Sequence, residues 1–99
     1  MPQGPFQTVS LGNANHRVLN ITANTVVKAS PGFVVSASVV VAGSAAGTIN
    51  DAATVAAAVT ANIIADLSTT AGVTIINFPT TAGIVVKPGS GQTIAISYN

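Results

Sequence analysis

Residues 31–43 read PGFVVSASVVVAG. No charge falls between Phe33 and Ala42, and Ser36 and Ser38 are the only polar residues in those ten positions. Pro31-Gly32 marks a turn ahead of the run. On a regular strand, Phe33, Val35, Ala37, Val39 and Val41 project to one side, and Val34, Ser36, Ser38, Val40 and Ala42 to the other. The first face is wholly apolar and belongs in a core. The second is mixed: its serines suit water, whereas Val34 and Val40 do not. A sheet wetted on one side shows clean apolar-in, polar-out alternation. The mixed face is therefore expected to be partly covered, by a neighbouring subunit or by the chain's own N-terminal arm, with Val34 and Val40 at the contact.

The rest of the chain supports the strand reading. Val, Ile and Thr number 14, 9 and 12 among 99 residues, against three Leu. β-Branched side chains are stiff at χ1 and fit a pleated surface. The length suits one domain with a core of its own. An all-β protein follows. Arg17, Lys28, Lys87, Asp51 and Asp66 are the only charged residues, 5% of the chain, where ordinary soluble proteins carry roughly 25%. Disorder does not explain this, because disordered chains are rich in charge and poor in β-branched residues. A net charge of +1 opposes association only weakly, so the composition points to a protein that lives inside an assembly; the alternative is a monomer solvated by its hydroxyls and amides.

The same numbers exclude several classes. No basic footprint exists for nucleic acid. Zero cysteines rule out disulfides and thiolate metal sites. The N-terminus, MPQGPFQTVS, has neither the basic nor the apolar region of a signal peptide. The longest near-apolar run is ten residues, against roughly 20 for a membrane helix, so no membrane partner is expected.

Residues 1–15, with Pro2, Gly4, Pro5 and Gly12, read as an extended arm ahead of a single sandwich domain over 16–99. Its apolar residues Phe6, Val9 and Leu11 are candidate interface anchors; the alternative is a frayed terminus. From Val18, Leu19 and Ile21 alternate with Asn20 and Thr22 as in a half-buried strand. Further strands are expected at Thr25–Ala29, Phe33–Ala42, Thr48–Asn50 and Val73–Phe78, the last stopped by Pro79. Residues 51–67 carry a four-residue stripe of Val55, Val59, Ile63 and Leu67, which predicts a short helical turn near 52–60, with Asp51 as its cap or in an Asx turn, before a strand near 62–67. Ile84–Lys87 and Thr93–Tyr98 flank Pro88-Gly89-Ser90-Gly91 and read as a β-hairpin. Ile94, Ile96 and Tyr98 share one face of the second strand. Seven or eight such strands predict a two-sheet antiparallel sandwich, jelly-roll or immunoglobulin-like.

Nothing in the inventory builds a catalytic site. His16 is the only histidine, and no acid is near it in sequence to orient it. Asp51 suits a turn or cap, and Asp66 an ion pair with Lys28, Lys87 or Arg17. Gly43-x-x-x-Gly47-Thr48 lacks the lysine of a phosphate loop. The four aromatics, Phe6, Phe33, Phe78 and Tyr98, are too few for a stacking platform, and Phe33 and Phe78 are expected in the core. No enzyme activity, metal or cofactor is expected.

Three segments carry a resemblance: TVVKASPG at 25–32, GSAAGTINDAAT at 43–54 and GIVVKPGSGQTIAISYN at 83–99. They resemble a group of small β-sandwich proteins and modules encoded by tailed bacteriophages. That group similarly places an Asn-Ile-Thr segment (here 20–22) before a TVVK strand, then an apolar strand, an AGT-x-x-DAA segment (46–53), an NFP-like turn (77–79) and a PG-x-G turn (88–91). The likeness spans residues 18–99 and rests on strand and turn signatures; Thr80 stands where a cysteine is frequent in the group. It implies a virion structural protein, a capsid decoration (cement) protein or head-fibre base. Such a protein would be assembled in the host cytoplasm and sit on the outer capsid surface. It would form a homo-oligomer, a trimer by the resemblance, bound to the major capsid protein. The alternative is a head- or tail-fibre component or a host-surface-binding module, which should show aromatic and acidic loops. The loops at 43–47, 68–72 and 88–91 show neither.

Overall fold

The computed structural model describes residues 15–99. The described residues form eight strands: β1 (His16–Ile21), β2 (Thr25–Lys28), β3 (Gly32–Val41), β4 (Gly47–Asn50), β5 (Ile63–Leu67), β6 (Gly72–Thr80), β7 (Ile84–Lys87) and β8 (Thr93–Tyr98). The arm residues Phe6, Val9 and Leu11 lie outside the described part.

Two four-stranded sheets pack face to face, ordered β1-β8-β3-β6 (sheet A) and β2-β7-β4-β5 (sheet B). Every pair is antiparallel. The pairs β1–β8, β2–β7, β3–β6 and β4–β5 are nested, like one long hairpin rolled onto itself. That nesting is the jelly roll, and it excludes the immunoglobulin-like alternative. Between the sheets, Ile21, Val34, Ala37, Val39, Ile94 and Ile96 from sheet A meet Ile49, Leu67, Ile84 and Val86 from sheet B. A second, smaller cluster lies on the far side of sheet B, where Ala52, Ala58 and Val55 cover Val85. Residues 52–58 thus cover the outer face at Val85, and Ile84–Val86 of β7 are buried on both sides.

Strict alternation fails in β3, and the registers show why. Val34 and Ser36 oppose Tyr98 and Ser97, and Val39 and Val41 oppose Ile94 and Thr93. Two steps along β3 match one along β8 in each case, so Val35 and Val40 are extra residues, each a β-bulge. A bulge shifts the side-chain phase by one. Val34 therefore turns into the core, fully buried, and is no surface contact. Val41, expected inside, is 50% exposed, and Val40 lies on the surface as expected. The same logic separates Leu19 from Ile21. Val18 and Ile21 oppose Ile96 and Ile94, with a bulge between them and Asn20 at φ 59°. Ile21 is buried and Leu19 faces out.

Three other expectations need correction. The predicted hairpin is an arch: β7 belongs to sheet B and β8 to sheet A, so residues 88–92 cross between sheets. Among the described residues the helical piece is one 3-10 turn at Thr60–Asn62, which overlaps the end of the predicted 52–60, but Val59 is exposed and Leu67 buried, so the stripe shares no face. Strand β6 runs through Pro79 to Thr80, which an edge strand permits because its outer side needs no N–H donor.

Candidate interaction surface

The buried polar residues are occupied by structural work. Asn50 is buried; its Nδ2 donates to the Val59 carbonyl at 2.9 Å and to Asn62 Oδ1 at 2.8 Å, and its Oδ1 accepts from Thr48 Oγ1 at 2.8 Å. Asn62 in turn donates from Nδ2 to the Ala57 carbonyl at 2.8 Å and accepts from the Val59 amide at 3.0 Å. Side-chain amides therefore take the hydrogen bonds that a helix over 52–60 would have made with its own backbone. Gln92, also buried, gathers three loops at one end of the sandwich. Its Nε2 donates to the Ser68 carbonyl at 2.6 Å and the Leu67 carbonyl at 3.3 Å, and its Oε1 accepts from the Gly89 amide at 2.8 Å. The Ser44 amide closes the cluster on the Ser90 carbonyl at 2.9 Å. Any Cβ at position 89 would run into the Ala45 carbonyl, which is why a glycine stands there.

Asp51 caps no helix. Its carboxylate accepts from the amides of Thr81, Ala82 and Gly83 and from the Thr81 hydroxyl, at 2.8–3.3 Å. Partial desolvation pushes the carboxyl pKa up. The amides of Thr81, Ala82 and Gly83, with the Thr81 hydroxyl, outweigh that and leave it below the ordinary value of 3.8. A carboxylate with its lone pairs so engaged pins the β6–β7 loop and is poorly placed to accept a substrate proton.

The remaining ionisable groups do not converge. Lys87 Nζ donates to the Ala58 carbonyl at 3.0 Å and Lys28 Nζ to the Asn99 carbonyl at 3.3 Å. Asp66 opposes Thr48 on the exposed side of sheet B. His16 stacks on Tyr98, ring centroids 5.4 Å apart. A depression of about 300 Å³ beside Lys87 is lined by Thr48, Asn50 and Thr60, neutral groups with no acid–base pair. Among the described residues, no three His, Cys, Asp or Glu side chains are placed to hold a metal ion. No helix there is long and apolar enough to cross a membrane.

Apolar exposure concentrates on sheet A. Its outer face carries two rows across the strands: Arg17, Ser97, Ser36 and Ile75, then Ala95, Ser38 and Val73. Val73 is 69% and Ile75 68% exposed, with Leu19 and Val40 at 56%. The serines and Ala95 form the floor of a groove of about 250 Å³ that Leu19 and Val73 flank. Ser36 and Ser97 hydroxyls bond each other at 2.7 Å across this floor. Phe78, expected in the core, is exposed at the β6 edge.

The four edge strands differ in how they discourage pairing. Natural edges are kept short, charged or bulged. β1 carries Arg17 and the Asn20 bulge, β2 is four residues ending in Lys28, and β5 is five residues including Asp66. β6 is nine residues, GVTIINFPT, without a charge. Its interruptions are the bulge at Asn77, φ 49°, and Pro79 beside it. Sequence reasoning missed this edge, because strand order is not written in any local pattern; the signal available was a nine-residue β-rich run free of charge. No protein-family model, curated protein or solved structure matches this chain.

Proposed function

We propose that the chain is a non-enzymatic virion structural protein of a tailed bacteriophage: a capsid decoration (cement) protein whose copies associate and bridge capsid subunits. The observation that carries this reading is β6, a long uncharged edge strand with Val73, Ile75 and Phe78 exposed. An edge of this kind is a template for another strand. Pairing would remove apolar surface from water at roughly 25 cal/mol per Å² before ordering costs, and repetition over a shell multiplies weak contacts. The motif resemblance of residues 18–99 supports the phage assignment. Jelly rolls serve viral capsid and lectin domains alike, so the topology is compatible with the reading without selecting it. If the assembly is the trimer that the resemblance implies, β6 of one copy meets a different surface of the next, since a closed three-fold ring uses heterologous contacts.

The test is to mix the purified chain with source-phage heads stripped of it and to measure binding by co-sedimentation. Self-association is followed in parallel by analytical ultracentrifugation. Wild type is expected to associate with rising concentration and to bind heads, while Thr74→Lys, on the exposed β6 edge, loses both with its melting temperature kept. A chain that stays monomeric and ignores the heads sinks the proposal.

A further inference from the structure

On the outer face of sheet B, Lys87 lines a depression of about 300 Å³. Val86 packs into the core and Val85 lies under Ala52 and Ala58, so Lys87 projects outward with Val85. We propose that this depression binds a hydroxycarboxylate about the size of one sugar ring, with its carboxylate on Lys87. The inference stands apart from the phage reading, since it concerns a small-molecule site and not the β6 edge.

Three observations carry it. The first is an uncommitted charge. Lys87 is half-buried, and among the described residues its Nζ makes one hydrogen bond, to the Ala58 carbonyl at 3.0 Å. An ammonium carries three donors, so two remain for a ligand. Neither aspartate is placed to take them. Asp51 is engaged by residues 81–83. Asp66 lies two strands from Lys87, because Thr48 opposes Lys87 on one side and Asp66 on the other.

The second is the pattern of donors and acceptors. Thr48, directly across from Lys87, gives its hydroxyl proton to Asn50 Oδ1 at 2.8 Å, so toward a ligand its oxygen can only accept. Asn24 and Thr60 also line the depression, and their side-chain donors are uncommitted among the described residues. A hydroxycarboxylate meets this set: its carboxylate takes donors from Lys87 and from Asn24 or Thr60, and its hydroxyl donates to Thr48. One cation matches one carboxylate, whereas a phosphate group, with a charge of about −1.5 to −2 at neutral pH, would stay partly unmatched.

The third is a frame that stands before any ligand arrives. Asn50, buried, lines the depression and holds the Val59 carbonyl at 2.9 Å and Asn62 Oδ1 at 2.8 Å. That fixes residues 59–62 as one wall, which lowers the ordering cost of binding. Val59 and Ile63 give the wall apolar surface for the carbon skeleton of a ring. The volume lies at the lower end for ligand pockets, which limits the occupant to one ring.

The test titrates glucuronate into the isotope-labelled chain at constant ionic strength, followed by NMR. Amide shifts should centre on residues 47–48, 59–60 and 87 and saturate with a Kd on the order of mM. Glucose lacks the carboxylate and acetate lacks the hydroxyls, so each should bind about tenfold more weakly or worse. Lys87→Met should weaken glucuronate by about tenfold or more. Because that change also removes the bond to Ala58, Asn24→Asp is the second variant. It sets a like charge at the site and should weaken glucuronate by about tenfold with the melting temperature kept. A free acid and the acidic end of a glycan share this chemistry. Methyl glucuronide, its anomeric oxygen blocked, should bind like glucuronate if the source is a glycan end and lose binding if it is the free acid. Shifts that fail to saturate would overturn the proposal. So would glucose or acetate binding as tightly as glucuronate, or undiminished glucuronate binding by either folded variant.

Discussion

At the scale of single residues, the few polar groups inside this protein act as pins. Asp51 gathers four donors from residues 81–83. Nothing near it in sequence announces this, because its partners lie about thirty positions away; locally it reads as a cap or turn. Asp51→Ala should cost about 1–2 kcal/mol, the net worth of a partly solvated charged cluster, read by urea denaturation at pH 7. The pH dependence has a definite sign. The folded carboxyl titrates below the ordinary 3.8, so its stabilisation is present above that value and fades as pH falls through the depressed folded pKa. The gap between wild type and Asp51→Ala should hold steady from about pH 5 to 8 and narrow below about pH 4. A gap that widened in acid would contradict the hydrogen bonding. Gly89 makes a second case: Gly89→Ala drives a methyl into the Ala45 carbonyl and should lower stability by about 1–3 kcal/mol, measured by thermal melting. The two glycines of PGSG were legible as turn residues, but Gly89's requirement is steric and only Gly91, at φ 83°, uses the left-handed region.

At the scale of elements, the sequence located strands better than it oriented them. The positions of all eight strands were readable, seven from alternation and from Gly and Pro punctuation and β5 from the Ile63-Ile64-Ala65 run, because those signals are local. Which face each side chain took was not, because bulges at Val35, Val40 and Asn20 reset the phase. Val34 shows the consequence: strict alternation puts it on the surface, and one extra residue puts it in the core. Turn chemistry had the same limit. Pro88–Gly91 forces the chain to reverse, but Gln92's bonds to Gly89, Leu67 and Ser68 carry it across to the other sheet. Asn77 tests the bulge account. At φ 49° it sits where a β-branched residue pays roughly 1–2 kcal/mol and glycine nothing. Asn77→Val should therefore lower the melting temperature, and Asn77→Gly should leave it equal or higher. Equal loss in both would mean that the Asn side chain, and not its backbone angle, matters there.

At the scale of the molecule, the low charge that singles out the sequence becomes a statement about surfaces. Both sheets are apolar inside, residues 52–58 cover Val85 on the outer face of sheet B, and the largest exposed apolar side chains on strands cluster on sheet A, β6 above all. The low charge and the mixed pattern of β3 raised the expectation of an incompletely covered face; which face carries the exposed apolar residues depends on how strands nest across more than sixty residues, as Ser36 and Ser97 do. Charge also separates the possible modes of assembly. Contacts made by Arg17, Lys28, Lys87, Asp51 and Asp66 would be screened by salt, and contacts made by β6 would not. Self-association measured by sedimentation should therefore change less than about twofold between roughly 50 mM and 500 mM NaCl. Thr74→Lys should behave differently. It puts an unpaired charge on the uncharged pairing edge of every copy, so association should fall by about tenfold or more and stay low as salt rises. A wild-type assembly that came apart as salt rose would place the contact on the five charged residues, and β6 would then be an edge that this protein leaves bare for another reason.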